Sequence, residues 1–193
     1  PCIFDLGNWI LRTALTDVQK LRKETEGFFV NVNVAAAQLE RREFRSAVMN
    51  ILKETGARPE ELCLELTERC RDLDIHFLRA EVEFFHSQGI KIALDDFGTG
   101  YSNFERIIGL PIDVIKFDRS LTILAGKNAE SRYMVGSFSD IFKNSHYEIL
   151  FEGVENEKDE DQCKQMNALY LQGYKYSKPI PIEELTRFLG RAV

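Results

Sequence analysis

Two adjacent carboxylates running into a glycine-hinged loop, Leu94-Asp95-Asp96-Phe97-Gly98-Thr99-Gly100-Tyr101, carry the clearest chemical signal in the chain. Hard divalent cations such as Mg²⁺ and Mn²⁺ are held by carboxylate and amide oxygens, and a pair of such ions needs several carboxylates gathered in one cavity. Upstream, Ile90, Ile92 and Leu94 alternate with Lys91 and Ala93 after the helix-ending Gly89, which predicts a buried strand whose C-terminal tip is Asp95-Asp96. Neighbouring strand residues point to opposite faces, so both acids can serve one cluster only if the chain bends there. Gly98 and Gly100 permit that bend. Taken alone, the segment reads equally well as a strand end opening a turn, because Asp and Gly are ordinary turn residues.

The same arrangement recurs along the chain. Phe28-Phe29-Val30-Asn31-Val32-Asn33-Val34 sets amides on an apolar run, and Leu62-Cys63-Leu64-Glu65-Leu66-Thr67-Glu68 sets carboxylates on another. Val114-Ile115-Lys116-Phe117-Asp118 carries a lysine, and Ile149-Leu150-Phe151-Glu152-Gly153-Val154-Glu155 carries two more acids. Tyr170-Leu171-Gln172-Gly173-Tyr174 places an amide just before a glycine. Buried charges are costly unless paired or bound to metal, so one convergent site explains these polar strand tips better than a series of separate packing accidents.

The elements between the runs read as helices. Phe44, Val48, Ile51 and Leu52 share a face before Gly56, with Pro59 beyond; Ile75, Leu78, Val82 and Phe85 do so after Asp74, a predicted N-cap. Met134, Val135, Phe138, Ile141 and Phe142 form a further stripe, Leu6, Ile10, Ala14 and Val18 one at the start, and Ile182, Leu185, Phe188 and Leu189 one after Pro179 and Pro181. The first three stripes are assigned to the core, and the last two mark helices. Strands alternating with helices predict a parallel α/β fold. Chemistry at the C-terminal tips of several different strands is the arrangement of a TIM-like (β/α) barrel, whereas a doubly wound open sheet would confine it to one switch point.

Composition bounds the partners. The formal net charge of −6 argues against a nucleic-acid polymer, and 44% hydrophobic with 29% charged residues suits one globular domain spanning 1–193. The absence of an apolar run of about 18 residues and of a signal peptide predicts no membrane contact by this segment and a cytoplasmic setting. Cys2, Cys63, Cys70 and Cys163 lack Cys-x-x-Cys spacing and are read as reduced thiols; His76, His86 and His146 lack ligand spacing and are read as surface or packing residues. The acidic run from Glu155 to Asp161 reads as a solvated helix start.

Six motifs in order resemble the EAL domain, the cyclic di-GMP phosphodiesterase family: Asn33-Val34 with Gln38-Leu39; Glu65-Leu66-Thr67-Glu68; Asp95 to Ser102; Leu110-Pro111-Ile112-Asp113 leading to Lys116; Glu152-Gly153-Val154-Glu155; and Gln172-Gly173-Tyr174 with Ser177-Lys178-Pro179. The resemblance implies a two-metal site for Mg²⁺ or Mn²⁺, with Asn33, Glu65 and Asp95 on one ion and Asp95, Asp96 and Glu152 on the second. Two such ions lie about 3.5–4 Å apart, clamp a phosphodiester and activate a water. It implies catalytic roles for Lys116, beside that water, and for Glu152, which assists removal of its proton. Glu68 would hold the loop from Asp96 through Thr99 to Tyr101, while Glu155 and Gln172 would support the far side. The implied reaction is hydrolysis of cyclic di-GMP to linear pGpG in bacterial second-messenger signalling. A homodimer formed through Ser102 to Leu110, and sensor or GGDEF domains in a parent protein that could be membrane-anchored, belong to the same expectation.

Departures qualify it. Glu-Ala-Leu, the motif that names the family and supplies another glutamate ligand, occurs nowhere in the chain. The expectation is therefore an N-terminally truncated barrel lacking its first strands, with impaired turnover. Ala35 replaces a usual serine, Phe117 an isoleucine and Phe151 an alanine, changes that touch packing; Asp159 replaces a glutamine and reads as a solvated surface change. A non-catalytic EAL module acting as a cyclic di-GMP receptor or protein-interaction domain is the alternative. A barrel enzyme using Lys116 in Schiff-base chemistry is a more distant one, because a lysine among carboxylates stays protonated.

Overall fold

The computed structural model describes residues 2–21, 27–99 and 109–189, and within them leaves the side chains of Glu68 and Arg71 aside. Strands β1 (Val30–Val34), β2 (Leu62–Leu66), β3 (Lys91–Phe97), β4 (Val114–Phe117), β5 (Glu148–Phe151) and β6 (Tyr170–Leu171) fall on the six apolar runs and follow chain order in the sheet. The described helices are α1 (Cys2–Leu21), α2 (Ala36–Leu39), α3 (Phe44–Thr55), α4 (Ile75–Ser87), α5 (Arg119–Lys127), α6 (Ala129–Asn144), α7 (Glu157–Gln165) and α8 (Ile182–Leu189). The fold is α/β, of the (β/α)-barrel type expected. Among the described residues, no helix is long and apolar enough to cross a membrane. The chain divides into two compact units, Pro1–Ile92 with Ile180–Val193, and Ala93–Pro179.

In the first unit β1 and β2 pair in parallel from Val30↔Leu62 to Val34↔Leu66. Helix α1 packs on β1 and α3. Helix α3 stops where Gly56 takes the left-handed conformation, φ 69°. Helix α4 starts where Asp74 accepts hydrogen bonds from the backbone N–H groups of His76 and Phe77 at 3.0 and 2.9 Å. Its Phe85 meets Phe44 edge to face, centroids 5.6 Å apart. The expected helix forms as α1 and buries Leu11, Leu15, Val18 and Leu21, whereas Leu6 and Ile10 are exposed, as are Ile3 and Trp9. Both stripes have helical spacing, and only what lies beside the helix decides between them. Helix α8 forms at the expected place but buries none of its residues completely.

In the second unit β3, β4, β5 and β6 pair in parallel and in chain order, without the reversal that defines a doubly wound sheet. Helix α5 packs on α6 and α7, and α6 packs on β5. Phe142 of α6 sits edge to face on Phe97, centroids 4.9 Å apart, and Phe97 touches Phe117 at 5.0 Å. Phe117 and Phe151, the two departures from the family pattern, lie beside each other at 4.7 Å. They touch each other in the core. The buried stripe of α6 is shifted from the expected one: it buries Val135, Ser139 and Phe142, while Met134, Phe138 and Ile141 are exposed. Ser139 is tolerated inside because its hydroxyl donates to the carbonyl of Met166.

None of the described cysteines is in a disulfide, with Cys2 exposed and Cys63, Cys70 and Cys163 buried. His76, His86 and His146 are exposed. The proposed dimer surface falls at Ser102 to Ile108 outside the described residues.

Candidate functional site

Parallel pairing puts the C-terminal ends of neighbouring strands on one edge, which is why strand-tip residues distant in sequence meet. In the second unit this edge carries Asp95 from β3, Lys116 from β4 and Glu152 just past β5. The Lys116 ammonium lies 2.7 Å from Asp95 Oδ1 and 2.7 Å from Glu152 Oε1. The lysine is buried, its side chain 5% exposed, while the side chains of Asp95 and Glu152 keep 14% and 19% of their surface open. Such a buried charge is tolerable because its partners are charge-assisted hydrogen-bond acceptors. Side chains alternate across the sheet, so Phe117 and Phe151 point away from this edge into the aromatic core next to Lys116 and Glu152. The polar groups therefore stand on a rigid, fully packed backing.

The predicted bend is present, but in a different place. Strand β3 continues to Phe97 rather than ending on the acids, and its pairing with β4 slips between Leu94 and Phe97. The turn is made by Asp96 itself, at φ 54°, with Gly98 at φ 101° following. Asp is one of the few side chains that visit this region, which is how two consecutive acids escape strict alternation. Thr99 closes the turn, its N–H and its hydroxyl both donating to the carbonyl of Asp96 at 3.3 and 2.9 Å. A side chain at Gly98 would run into Leu121 of α5. Gly100 and Tyr101 lie outside the described residues.

Glu152 is held through its backbone. Its N–H donates to the carbonyl of Phe117 at 3.0 Å, and its carbonyl accepts from the buried hydroxyl of Thr122 at 2.6 Å. Gly153 turns the chain at φ 71°, where a Cβ would meet Arg119 Cγ at 2.2 Å. Arg119 then donates to Glu155 Oε1 at 2.5 Å. Gln172, exposed, contributes its backbone: its N–H donates to Phe151 at 2.9 Å and its carbonyl accepts from Val154 at 3.1 Å. Gly173 allows this closeness, since a Cβ there would lie 2.0 Å from the carbonyl oxygen of Val154. Asp159 corrects its reading as a mere surface change. It accepts from the N–H of Glu155 at 3.1 Å and from Asn156 Nδ2 at 2.8 Å, joining the turn after Glu152 to the start of α7.

The first unit holds its own oxygen pair. Asn33 and Glu65 are register partners on β1 and β2, Glu65 buried and Asn33 exposed. The turn after Asn33 is fixed by Gln38, whose Oε1 accepts from the N–H of Ala35 at 3.1 Å. Gly7 of α1 leaves room for that amide, 1.9 Å from where a Cβ would stand. The side chain of Glu68 lies outside the described residues.

Thr122 and Arg119 were not found from the sequence. A threonine and an arginine in an amphipathic helix give no local sign that they reach back to a strand tip. The donor sets, carboxylate and amide oxygens with no thiol or imidazole among them, fit a hard divalent cation. Among the described residues, no three acidic, histidine or cysteine side chains stand together as a ready ligand cage. The cation at Asp95 and Glu152 is the ammonium of Lys116. These carboxylates thus surround a positive centre.

The EAL domain family model matches residues 2–179. The cyclic di-GMP phosphodiesterase PdeL of Escherichia coli (strain K12) is 32% identical over 156 residues, 81% of this chain and 43% of that protein. The probable cyclic di-GMP phosphodiesterase PdeI of the same strain is 31% identical over 187 residues, 93% of this chain and 23% of that protein. The crystal structure of the EAL domain of Mycobacterium smegmatis DcpA superposes with a TM-score of 0.88 at 32% identity, covering 96% of this chain and 84% of that one. The chain thus spans less than half the length of both curated relatives.

Proposed function

The chain belongs to the EAL domain family, and on that premise we propose that it is a metal-dependent phosphodiesterase module hydrolysing cyclic di-GMP to linear pGpG. The observation that carries this reading is the buried Lys116 ammonium shared by Asp95 and Glu152. It offers a fixed positive charge beside two carboxylates, the groups needed to bind and cleave a phosphodiester.

Asp95, Asp96 and Glu152 are the proposed ligands of Mg²⁺ or Mn²⁺ in the second unit, and Asn33 and Glu65 the oxygen donors of the first. Bound there, divalent cations supply Lewis acidity and lower the pKa of a coordinated water. Lys116 contributes positive charge where negative charge develops on the phosphoryl oxygens, and does so without reorganisation because its ammonium is already held. Glu152 accepts the proton of the attacking water. Thr122, Arg119 and Gln172 act through the position of Glu152 and its loop. The ion pairs favour this electrostatic role of Lys116 over a Schiff base, which needs the neutral amine.

The test is cyclic di-GMP turnover with Mn²⁺, read as pGpG by chromatography, for the 193-residue chain and for the same chain preceded by the Glu-Ala-Leu strand of a relative. The expected result is pGpG from the second, less from the first, and none after chelation or in Glu152→Gln. Binding of the dinucleotide without cleavage by either would replace the enzyme reading with that of a receptor module.

A further inference from the structure

Helix α6 and the end of α7 leave between them a cleft of about 320 Å³, whose walls include Arg132, Tyr133, Gly136 and Asp140 of α6 together with Gln165 and Met166. Helix α7 ends at Gln165, shortly before β6 begins at Tyr170, so this side of the cleft lies towards the N-terminal edge of the strands. Asp95, Lys116 and Glu152 stand at the other edge, and the cleft shares no residue with them.

Two features of the cleft work against stability and have no packing reason. Arg132 Nε is shut off from water without an acceptor, and the guanidinium forms no ion pair among the described residues. A buried donor left without a partner is destabilising, and native proteins keep few of them. The carboxylate of the same cleft, Asp140, pairs elsewhere, accepting from Asn167 Nδ2 at 2.5 Å. Gly136 lies inside a 16-residue helix, where glycine is less stable than alanine. No close approach demands it, because a Cβ there would meet Met166 Cγ at 3.5 Å, an ordinary contact. Arg132, Gly136 and Asp140 follow one another at intervals of four along one row of the helix surface. The bare glycine therefore opens a gap between a positive and a negative end.

We propose that this cleft binds a small organic acid, its carboxylate on Arg132 and its apolar body over Gly136, between Tyr133 and Met166. A guanidinium presents parallel N–H donors that match the two oxygens of a carboxylate. Tyr133, 78% exposed, supplies an aromatic wall, and Met166, buried, an adaptable apolar floor. Asp140 stands eight residues further along the helix, a rise of about 12 Å. Its negative charge disfavours a dianion such as phosphate and admits one acidic group at the Arg132 end. The volume is at the small end of the range for ligand sites. None of these residues takes part in the phosphodiesterase reading, so either can fail without the other.

The test is binding of 3-phenylpropionate to the 193-residue chain in the presence of EDTA, detected by saturation-transfer NMR of the ligand and titrated by calorimetry. The expected dissociation constant is about 1 mM or below for a ligand of this size. Arg132→Met should weaken binding at least about tenfold through loss of the charge-assisted pair. It should also melt no lower than the parent, because the donor it removes had no partner. Gly136→Leu keeps the arginine and fills the gap, so it should abolish binding. Inorganic phosphate at equal concentration should not displace the ligand. No binding by the parent at about 10 mM, or binding that either variant leaves unchanged, overturns the proposal. Displacement by phosphate overturns the assignment to a carboxylic acid, and an Arg132→Met chain that melts clearly lower makes the arginine a packing residue.

Discussion

Thr122 shows how a residue far from any motif can govern a strand-tip acid. Its hydroxyl, buried inside α5, donates to the carbonyl of Glu152 at 2.6 Å, so it fixes backbone rather than side chain. Thr122→Val keeps the shape and loses the bond, leaving a carbonyl unsatisfied, and should cost about 1–2 kcal/mol in urea unfolding. If Glu152 is placed by this bond, the variant should also lose Mn²⁺ affinity; unchanged affinity would make Thr122 a packing residue only. Asp95, Lys116 and Glu152 were legible in the sequence because an ionisable group at the end of an apolar run is physically conspicuous. Thr122 was not, because its role depends on a contact 30 residues away. Asp96 was half legible: a bend was required there, and the sequence offered glycines for it, yet the acid itself adopts the positive φ.

Elements were more legible than the faces they present. Each of the six apolar runs became a strand, and the caps at Asp74 and Gly56 formed as predicted. The helical stripe of α6 was only partly the buried one because periodicity identifies residues that share a face, while neighbouring elements decide which face is covered. Close approach of backbone was also invisible beforehand. Gly173 lies against Val154, and Gly173→Ala would drive a methyl into main chain with no flexible end to move aside. The expected loss is about 3 kcal/mol or more, measured by denaturant unfolding, with Glu152 displaced along with its loop.

The segment after β6 is further tied to α7 by charge: Glu160 lies 2.6 Å from both Lys164 and Lys175. These lysines pull the Glu160 carboxyl from its ordinary 4.5 down to about 2. Its folded-state value is thus below the unfolded one, so its stabilisation is present above about 4.5 and is lost as pH falls towards about 2. The melting temperature of the parent should exceed that of Glu160→Gln at pH 7, and the gap should close across that acid window. A gap independent of pH would assign the contribution to packing.

For the whole molecule, thiol chemistry offers a check on burial. Burial pushes the Cys163 thiol up to about 12, and Cys63 and Cys70 are likewise enclosed, whereas Cys2 is exposed. A disulfide reagent at pH 8 should titrate one thiol rapidly in the native chain and four after unfolding in denaturant. Rapid reaction of Cys163 in the native state would contradict the packing of α7 onto α5.

The order of the strands also has a meaning in time. Asp95 lies on β3, Lys116 on β4 and Glu152 just past β5, so the charge cluster cannot exist on the ribosome until the chain has been made as far as β5. At about 5–20 residues per second, translation takes about 1–4 seconds from Asp96 to Lys116, and over that time Asp95 and Asp96 stand as a bare acidic pair at the end of a nascent strand. During that interval their shared negative charge discourages the strand from burying itself against anything other than the lysine still to come.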